Sequence, residues 1–295
     1  MSFLSGFIAI IGPPNSGKST LLNQLLGRKI AITSPKPQTT RNRIVGIYHG
    51  DNYQMAFMDT PGIHQTRSPL HKSMVNSAKA SLKEVDIILL VAEPVDITHD
   101  SEMKAVLELL GKLEKPALLA LNKIDLVKKE NLLPLIESYS KLHCFDAIIP
   151  LSALYRDGLE ALREELVKRL SPGPQFFPPD MITDKSEDFL IAEIIREKIY
   201  HETRQELPYS SAVVVEALDE DQERNLLKII AVIYVEKQSQ KGIIIGKDGA
   251  MIKRIGRKAR MEVERIFSAR VYLELFVKVE KKWSSDSRSL RRLGY

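Results

Sequence analysis

Phe7-Ile8-Ala9-Ile10-Ile11 runs directly into Gly12-Pro13-Pro14-Asn15-Ser16-Gly17-Lys18-Ser19, and helix-compatible residues follow from Ser19 to Leu26. An apolar strand, a loop with the spacing GxxxxGKS and a helix make a phosphate-binding loop. Its glycines let the backbone curl so that successive N–H groups point inward at phosphate oxygens, while Lys18 reaches the terminal phosphates. Ser19 is placed to hold magnesium. The phosphate-contacting set is Gly12, Pro13, Pro14, Asn15, Ser16, Gly17, Lys18, Ser19 and Thr20.

Outward from this loop, short apolar runs alternate with stretches of helical spacing as far as about Leu170, the pattern of a mostly parallel sheet covered on both faces. The expected strands are 7–11, 44–48, 53–58, 87–91, 117–121 and 147–151, and 44–48 pairs with 53–58 as an antiparallel edge hairpin across His49-Gly50-Asp51-Asn52. Helices are expected over 19–26, 69–82, 101–111, 131–141 and 158–170. Pro172, Gly173, Pro174, Pro178 and Pro179 then break the pattern. Residues 1–171 read as an α/β nucleotide-binding domain and 172–184 as a proline-rich linker. From 185 to 295 a small α+β domain follows, with helix, two strands, a glycine turn, helix and strand.

Composition bounds the function. The 295 residues carry 43 Lys+Arg against 38 Asp+Glu, a net charge of +5 that permits contact with nucleic acid or an anionic membrane surface. The single cysteine, Cys144, rules out an intramolecular disulfide, suits a reducing cytosol and reads as a packing residue. No apolar run is long enough to span a bilayer and Met1 to Gly6 lacks a signal-peptide pattern, so a soluble cytoplasmic protein is expected.

Every conspicuous polar motif of the first half falls just after an expected strand, where ligands sit in open α/β sheets. Asp59-Thr60-Pro61-Gly62 offers a carboxylate to hold magnesium through water and, at Gly62, an N–H for a γ-phosphate. Asn122-Lys123-Ile124-Asp125 offers the Asp125 carboxylate to a ring edge with adjacent N–H donors, which guanine has and adenine lacks. Such a site rejects the wrong base by ~10⁴ to 10⁵, because the carboxylate would be left unpaired. A nucleotide kinase or ATPase shares the phosphate loop, and Asp125 argues against it. Ser152-Ala153-Leu154 sets backbone N–H groups near the guanine oxygen. The polar, proline-broken loop Ser34 to Arg41 supplies a threonine for magnesium; Thr39 and Thr40 are not separated by the sequence, and Thr40 is favoured.

In the second half, Gly246-Lys247-Asp248-Gly249 lies between an apolar segment and a helix, the sequence form of a KH domain, whose loop holds about four nucleotides of single-stranded RNA. Residues 247–270 hold eight basic residues against three acidic ones, while Met251, Ile252, Ile255, Ala259 and Ile266 keep helical spacing for a core. Lys253, Arg254, Arg257 and Lys258 join the loop as expected RNA contacts. The element order is that of the type II KH fold, in which the apolar stretch before the loop becomes a short helix. The basic tail from Lys281 to Tyr295 is open to two readings, with Trp283 either stacking on bases or packing against the domain.

Taken together, GPPNSGKS, PQTTR, DTPG, NKID, SAL, PPDMITD and GKDG resemble the translation-factor-like GTPases and, with the second domain, the Era family of ribosome-assembly GTPases. The resemblance spans nearly the whole chain. It implies that Lys18 and Ser19 bind phosphate and magnesium and that Asn122, Lys123 and Asp125 read guanine. It further implies single-stranded RNA near the 3′ end of small-subunit ribosomal RNA as ligand, the small subunit as partner and peripheral contact with the cell membrane; a monomer is expected, though the sequence does not give the oligomeric state. Ras-type enzymes place a water-orienting glutamine after DxxG, whereas Ile63 follows Gly62 in this sequence. Hydrolysis then draws on other charge stabilisation. Asn15 matches the asparagine with which related GTPases help hold potassium, although loop geometry alone also accounts for it. The catalytic set is accordingly Lys18, Asn15, Thr40 and Gly62, with Ser19, Thr40 and Asp59 at the metal. A module that retains GTP with negligible turnover is the remaining alternative.

Overall fold

The structure, a computed structural model, describes all residues except 1, 35, 37–40, 60–81, 83, 96–100, 114, 143–144, 204–206, 208–209 and 295. Cys144, Thr39, Thr40, Gly62, Ile63 and nearly all of the helix expected over 69–82 lie outside the described residues.

By its contacts the chain divides into two compact units. The first is built on β1 (Leu4–Ile11), α1 (Lys18–Leu26), β2 (Ile44–Gly50), β3 (Tyr53–Asp59), β4 (Ile87–Ala92), α2 (Ser101–Leu110), β5 (Ala117–Leu121), α3 (Lys129–Ser140), β6 (Ala147–Pro150), α4 (Leu159–Val167) and the two-residue β7 (Ser171–Pro172). The sheet order is β2-β3-β1-β4-β5-β6, with β7 pairing antiparallel to β1. All the other pairings are parallel except the β2–β3 hairpin at the edge. Every residue of β4 and β5 is buried, as befits parallel strands with both faces covered. α1 stops at Gly27, whose φ of 65° puts it in the left-handed region and whose N–H bonds Gln24 O.

The proline-rich stretch read as a linker is not a tether. Its contacts place it in the first unit, which runs through Asp184. Ile47 N donates to Ile182 O (2.8 Å), Val45 N to Asp184 Oδ1 (2.9 Å), and the Gln54 side chain bonds Phe176 and Phe177 backbone groups at 2.9 to 3.1 Å. Residues 176–184 thus occupy polar groups of the edge hairpin that would otherwise template pairing with another chain. A run of prolines signals only that no helix or central strand continues. It does not show that the chain leaves the surface.

The second unit takes Lys185 onward and, by contact, the described residues among 32–39. Thr33 N donates to Glu197 Oε2 (3.1 Å), and Lys36 Nζ to the carbonyls of Tyr200 and Thr203. Sequence had placed these residues in the first domain. The unit's elements are α5 (Glu187–Glu202), β8 (Ser211–Asp221), β9 (Leu226–Val235), α6 (Gln238–Ile245), α7 (Ala250–Phe267), β10 (Arg270–Val279) and α8 (Ser287–Arg292). The sheet runs β10-β9-β8, with β9 antiparallel to β8 and parallel to β10. This is the type II KH order, and residues 238–245 do form the short helix before the loop. Its core joins Ile191, Ile195 and Ile199 of α5 and Ile255, Ala259 and Val263 of α7 with alternate residues of β9.

Candidate functional site

The phosphate loop leaves β1 and enters α1, and close approach explains two of its glycines. A side chain on Gly12 (φ 147°) would put its Cβ 2.1 Å from Val91 O, and one on Gly17 (φ 97°) would put it 2.2 Å from Asn122 Nδ2. Lys18, itself buried, donates from Nζ to Gly12 O (3.0 Å) and Pro13 O (2.7 Å), which sets its ammonium across the loop. The buried Ser16 Oγ has no hydrogen-bond partner among the described residues. Pro13 and Pro14 are half-buried, as is Thr20 in the first turn of α1. Asn15 is exposed with a φ of 63°, a backbone state that asparagine tolerates better than most residues.

At the next strand end, Ser19 Oγ donates to Asp59 Oδ2 at 2.8 Å, and Asp59 is fully buried. Two residues assigned to magnesium from motifs 40 positions apart therefore meet. Oxygen donors with a single carboxylate suit an ion that keeps several waters and relies on substrate phosphates for the rest of its shell. Among the described residues no cluster of three or more His, Cys, Asp or Glu forms an all-protein metal cage. Thr40 and Gly62, the other members of the set, lie outside the described residues.

Asn122 follows β5 and is 2% exposed. Its Nδ2 donates to Ser16 O (2.8 Å) and its Oδ1 accepts from Ala153 N (2.9 Å), so one amide ties the phosphate loop to the loop after β6. Each end of this amide helps to hold the loops together, while its second Nδ2 hydrogen stays open to a base. The Ala153 N–H faces Asn122 in this arrangement. Ser152 N–H goes to Asp157 O (3.0 Å), which leaves Leu154 as the member of the three whose backbone suits a guanine oxygen. Ser152 Oγ donates to Asp125 Oδ1 and orients that carboxylate on the short 3-10 turn Ile124–Leu126.

Lys123 sits in the left-handed region (φ 67°) and pairs with Glu93. Glu93 follows β4, and its carbonyl accepts the hydroxyl of fully buried Tyr139 at 2.7 Å. Motif reading passed over Glu93 because it belongs to no signature. Its place at the carboxyl end of a central strand, level with the other motifs, was the available signal.

The glycine loop of the second unit starts at Gly246 (φ 72°), where a side chain would strike Met251 Cβ at 2.7 Å, and ends at Gly249 (φ 75°), which faces open space. Asp248 between them is also left-handed (φ 52°). α7 rises from this turn with Lys253, Arg254, Arg257 and Lys258 exposed, as is Lys247 in the turn. Arg254 (3.5 Å) and Lys258 both pair with Glu202, whose carboxyl is held below its usual range chiefly by the Lys258 hydrogen bond. Those two cations are thereby partly neutralised, whereas Lys247, Lys253 and Arg257 have no acidic partner among the described residues. Of the two readings of Trp283, packing holds. The ring is fully buried, and Nε1 donates to Ser210 O at 3.2 Å. Among the described residues no helix is long and apolar enough to cross a membrane.

Comparison with known proteins fits this geometry. Residues 7–123 match the family model described as 50S ribosome-binding GTPase, and residues 206–284 match the KH domain model. GTPase Era of Syntrophus aciditrophicus is 55% identical over 99% of this chain and 95% of its own length, and that of Geotalea uraniireducens is 53% identical over 99% and 98%. Two solved structures, each 41% identical with a TM-score of 0.94 and 99% coverage of both chains, are a variant of Aquifex aeolicus Era bound to GDP·AlF4− and Era in complex with MgGDPNP and nucleotides 1506–1542 of 16S ribosomal RNA. With the relatives matched end to end and both halves matched in order, this chain belongs to the Era family of GTPases.

Proposed function

We propose that this GTPase reads guanine through Asp125 and couples its nucleotide state to binding of the 3′ region of small-subunit ribosomal RNA by the glycine loop at 246–249. The observation that carries the nucleotide half is the cross-brace of Asn122 between Ser16 O and Ala153 N, with Ser152 orienting Asp125 beside it. That brace puts a base-reading carboxylate and a phosphate loop on one rigid frame.

In this reading the loop residues Gly12 to Thr20 enclose the phosphates, and Lys18 offsets charge on the terminal groups. Ser19 and Asp59 hold magnesium, with Thr40 and Gly62 completing the set from the sequence. Bound magnesium supplies neutralisation of charge between the β- and γ-phosphates. Lys123 lies along the guanine and Leu154 N–H meets its oxygen. Ile63 has no hydrogen-bonding atom, so the attacking water is not oriented by that side chain. The finer assignment of potassium to Asn15 is tested directly, since equal GTPase rates in potassium and sodium buffers would remove it. The RNA half rests on the exposed cations Lys247, Lys253 and Arg257 around a loop of KH geometry. Its setting is cytoplasmic small-subunit assembly, and peripheral membrane contact is supported by net basic charge alone.

The test of the base assignment is Asp125→Asn. The amide presents one donor and one acceptor, which pairs poorly with guanine and well with xanthine, whose carbonyl replaces the exocyclic amine. The variant should lose GTP binding by at least ~10³-fold and gain XTP binding. Retained GTP affinity would mean that another group reads the base.

A further inference from the structure

At the end of the KH unit away from the glycine loop, where α7 turns into β10, a cleft of about 520 Å³ is lined by Lys228, Arg260, Arg270, Tyr272 and Glu264 over an apolar floor. Three cations converge on it against one carboxylate. Glu264 leans on Arg260 at 3.9 Å and accepts Val271 N at 3.3 Å, so it is engaged with groups of its own wall. Lys228 and Arg270 have no acidic partner among the described residues. Arg270 N bonds Asn225 O at 2.9 Å, which fixes the backbone from which the guanidinium projects. Tyr272 is 56% exposed, directly opposite Lys228 in the β9–β10 register, and its hydroxyl is tied to Glu274 at 2.6 Å. The ring is therefore open to solvent, with its hydroxyl held by Glu274. Core packing does not need an exposed aromatic next to unpaired cations, and solubility does not need a cleft between them.

We propose that this cleft is a second RNA subsite that takes a backbone phosphate between Lys228 and Arg270 and stacks the adjoining base on Tyr272. It rests on the RNA reading given above and extends it along the strand. Arg260, on α7, lies eleven residues beyond Gly249, about 16 Å of helix rise at ~1.5 Å per residue. A stacked strand advances ~3.4 Å per charge, so that span corresponds to roughly five nucleotides. The glycine loop holds about four. The cleft therefore falls where the chain of nucleotides leaving the loop would need its next anchor. Phosphate contacts of this kind add affinity without reading sequence, and a stacked ring accepts any base.

The test compares fluorescein-labelled single-stranded RNAs of 5 and 14 nucleotides, both carrying the loop-binding segment, on the full-length GTP-loaded protein. Lys228→Ser with Arg270→Ser should leave 5-mer affinity unchanged and weaken the 14-mer about 10-fold, with the slope of log K against log salt falling by about 1.4, the value for two lost single-strand contacts. Tyr272→Ala alone should weaken the 14-mer about 5-fold with no change of slope. Both variants touch surface side chains, and an unaltered 5-mer Kd reports that the domain is folded. If the charge variant binds the two lengths as the wild type does, the subsite is absent while the loop reading stands. If the wild type binds neither length, the RNA reading falls and the subsite with it. If the charge variant instead loses binding to vesicles of 30% phosphatidylglycerol while keeping the 14-mer, the cleft is a lipid-headgroup site and the proposal is overturned.

Discussion

The two candidate sites of this chain are built on opposite principles. The nucleotide site gathers residues from five strand ends, with Gly12 to Ser19, Asp59, Glu93, Asn122 to Asp125 and Ser152 to Leu154 all distant in sequence. Buried side chains cross-brace it. The RNA site is one contiguous stretch from Gly246 to Lys258, exposed, with backbone shape at the turn and cations along one helix. A braced site fails as a unit, whereas a contiguous cationic site loses affinity contact by contact. The difference can be broken by experiments that make the first site behave additively or the second cooperatively.

The largest effect is expected at Asn122. Asn122→Ala leaves the Ser16 carbonyl and the Ala153 N–H buried without their partner, at ~1 to 3 kcal/mol each, so nucleotide affinity should fall by about 10² to 10³-fold in a fluorescent-nucleotide titration. Gly17→Ala strikes the same amide, and the double variant should be little worse than either single one. Simple addition of the two losses would show that Asn122 is not the brace.

Next comes a contrast inside the RNA loop. Gly246→Ala meets Met251 at 2.7 Å as well as an unfavourable φ, while Gly249→Ala has open space and only the φ. The second change costs ~1 to 2 kcal/mol of backbone strain. Gly246→Ala should therefore weaken RNA binding at least about 10-fold more than Gly249→Ala, with GTP affinity unchanged in both. Equal losses would mean that strain alone sets the shape of the turn.

Glu93→Gln probes the brace that motif reading missed. Glu93 and Lys123 side chains are each about a third exposed, so solvent screens the pair and its worth is modest. Guanine nucleotide dissociation should quicken by about 3 to 10-fold, more at low salt than at high, with the catalytic rate of bound GTP unchanged. A lower catalytic rate at unchanged dissociation would place Glu93 in the chemistry instead.

These cases also show what the sequence could and could not disclose. Strands with both faces buried, such as Ile87–Ala92, are legible because every position must be apolar, and the motifs are legible because a phosphate loop tolerates few spacings. Asn122 was found, yet its partners Ser16 and Ala153 are 106 and 31 positions away, and spacing does not say which end of an amide meets which loop. The same holds for residues 176–184 covering the edge hairpin, for Thr33 bonding Glu197, and for Trp283 lying buried beside Ser210. Local pattern names an element and its exposed face. Tertiary partners decide whether a polar or aromatic residue in it serves a ligand or the fold.

The smallest expected effect is the most discriminating for the RNA side. Glu202 draws Lys258 and Arg254 back toward α5, and both cations hold its carboxyl below the ordinary range. The carboxylate thus stays charged as pH falls through ~4.3, the usual glutamate value, so acidification across the range from neutrality to that value does not release the two cations. Glu202→Gln does release them at any pH. If they can reach phosphate once freed, the variant should bind RNA about 2 to 5-fold more tightly at low salt, with the gain vanishing in high salt as screened contacts must. The opposite sign would be equally informative. Weaker binding by Glu202→Gln would mean that the pairing positions Lys258 and Arg254 for RNA, and the second site would then share the braced logic of the first.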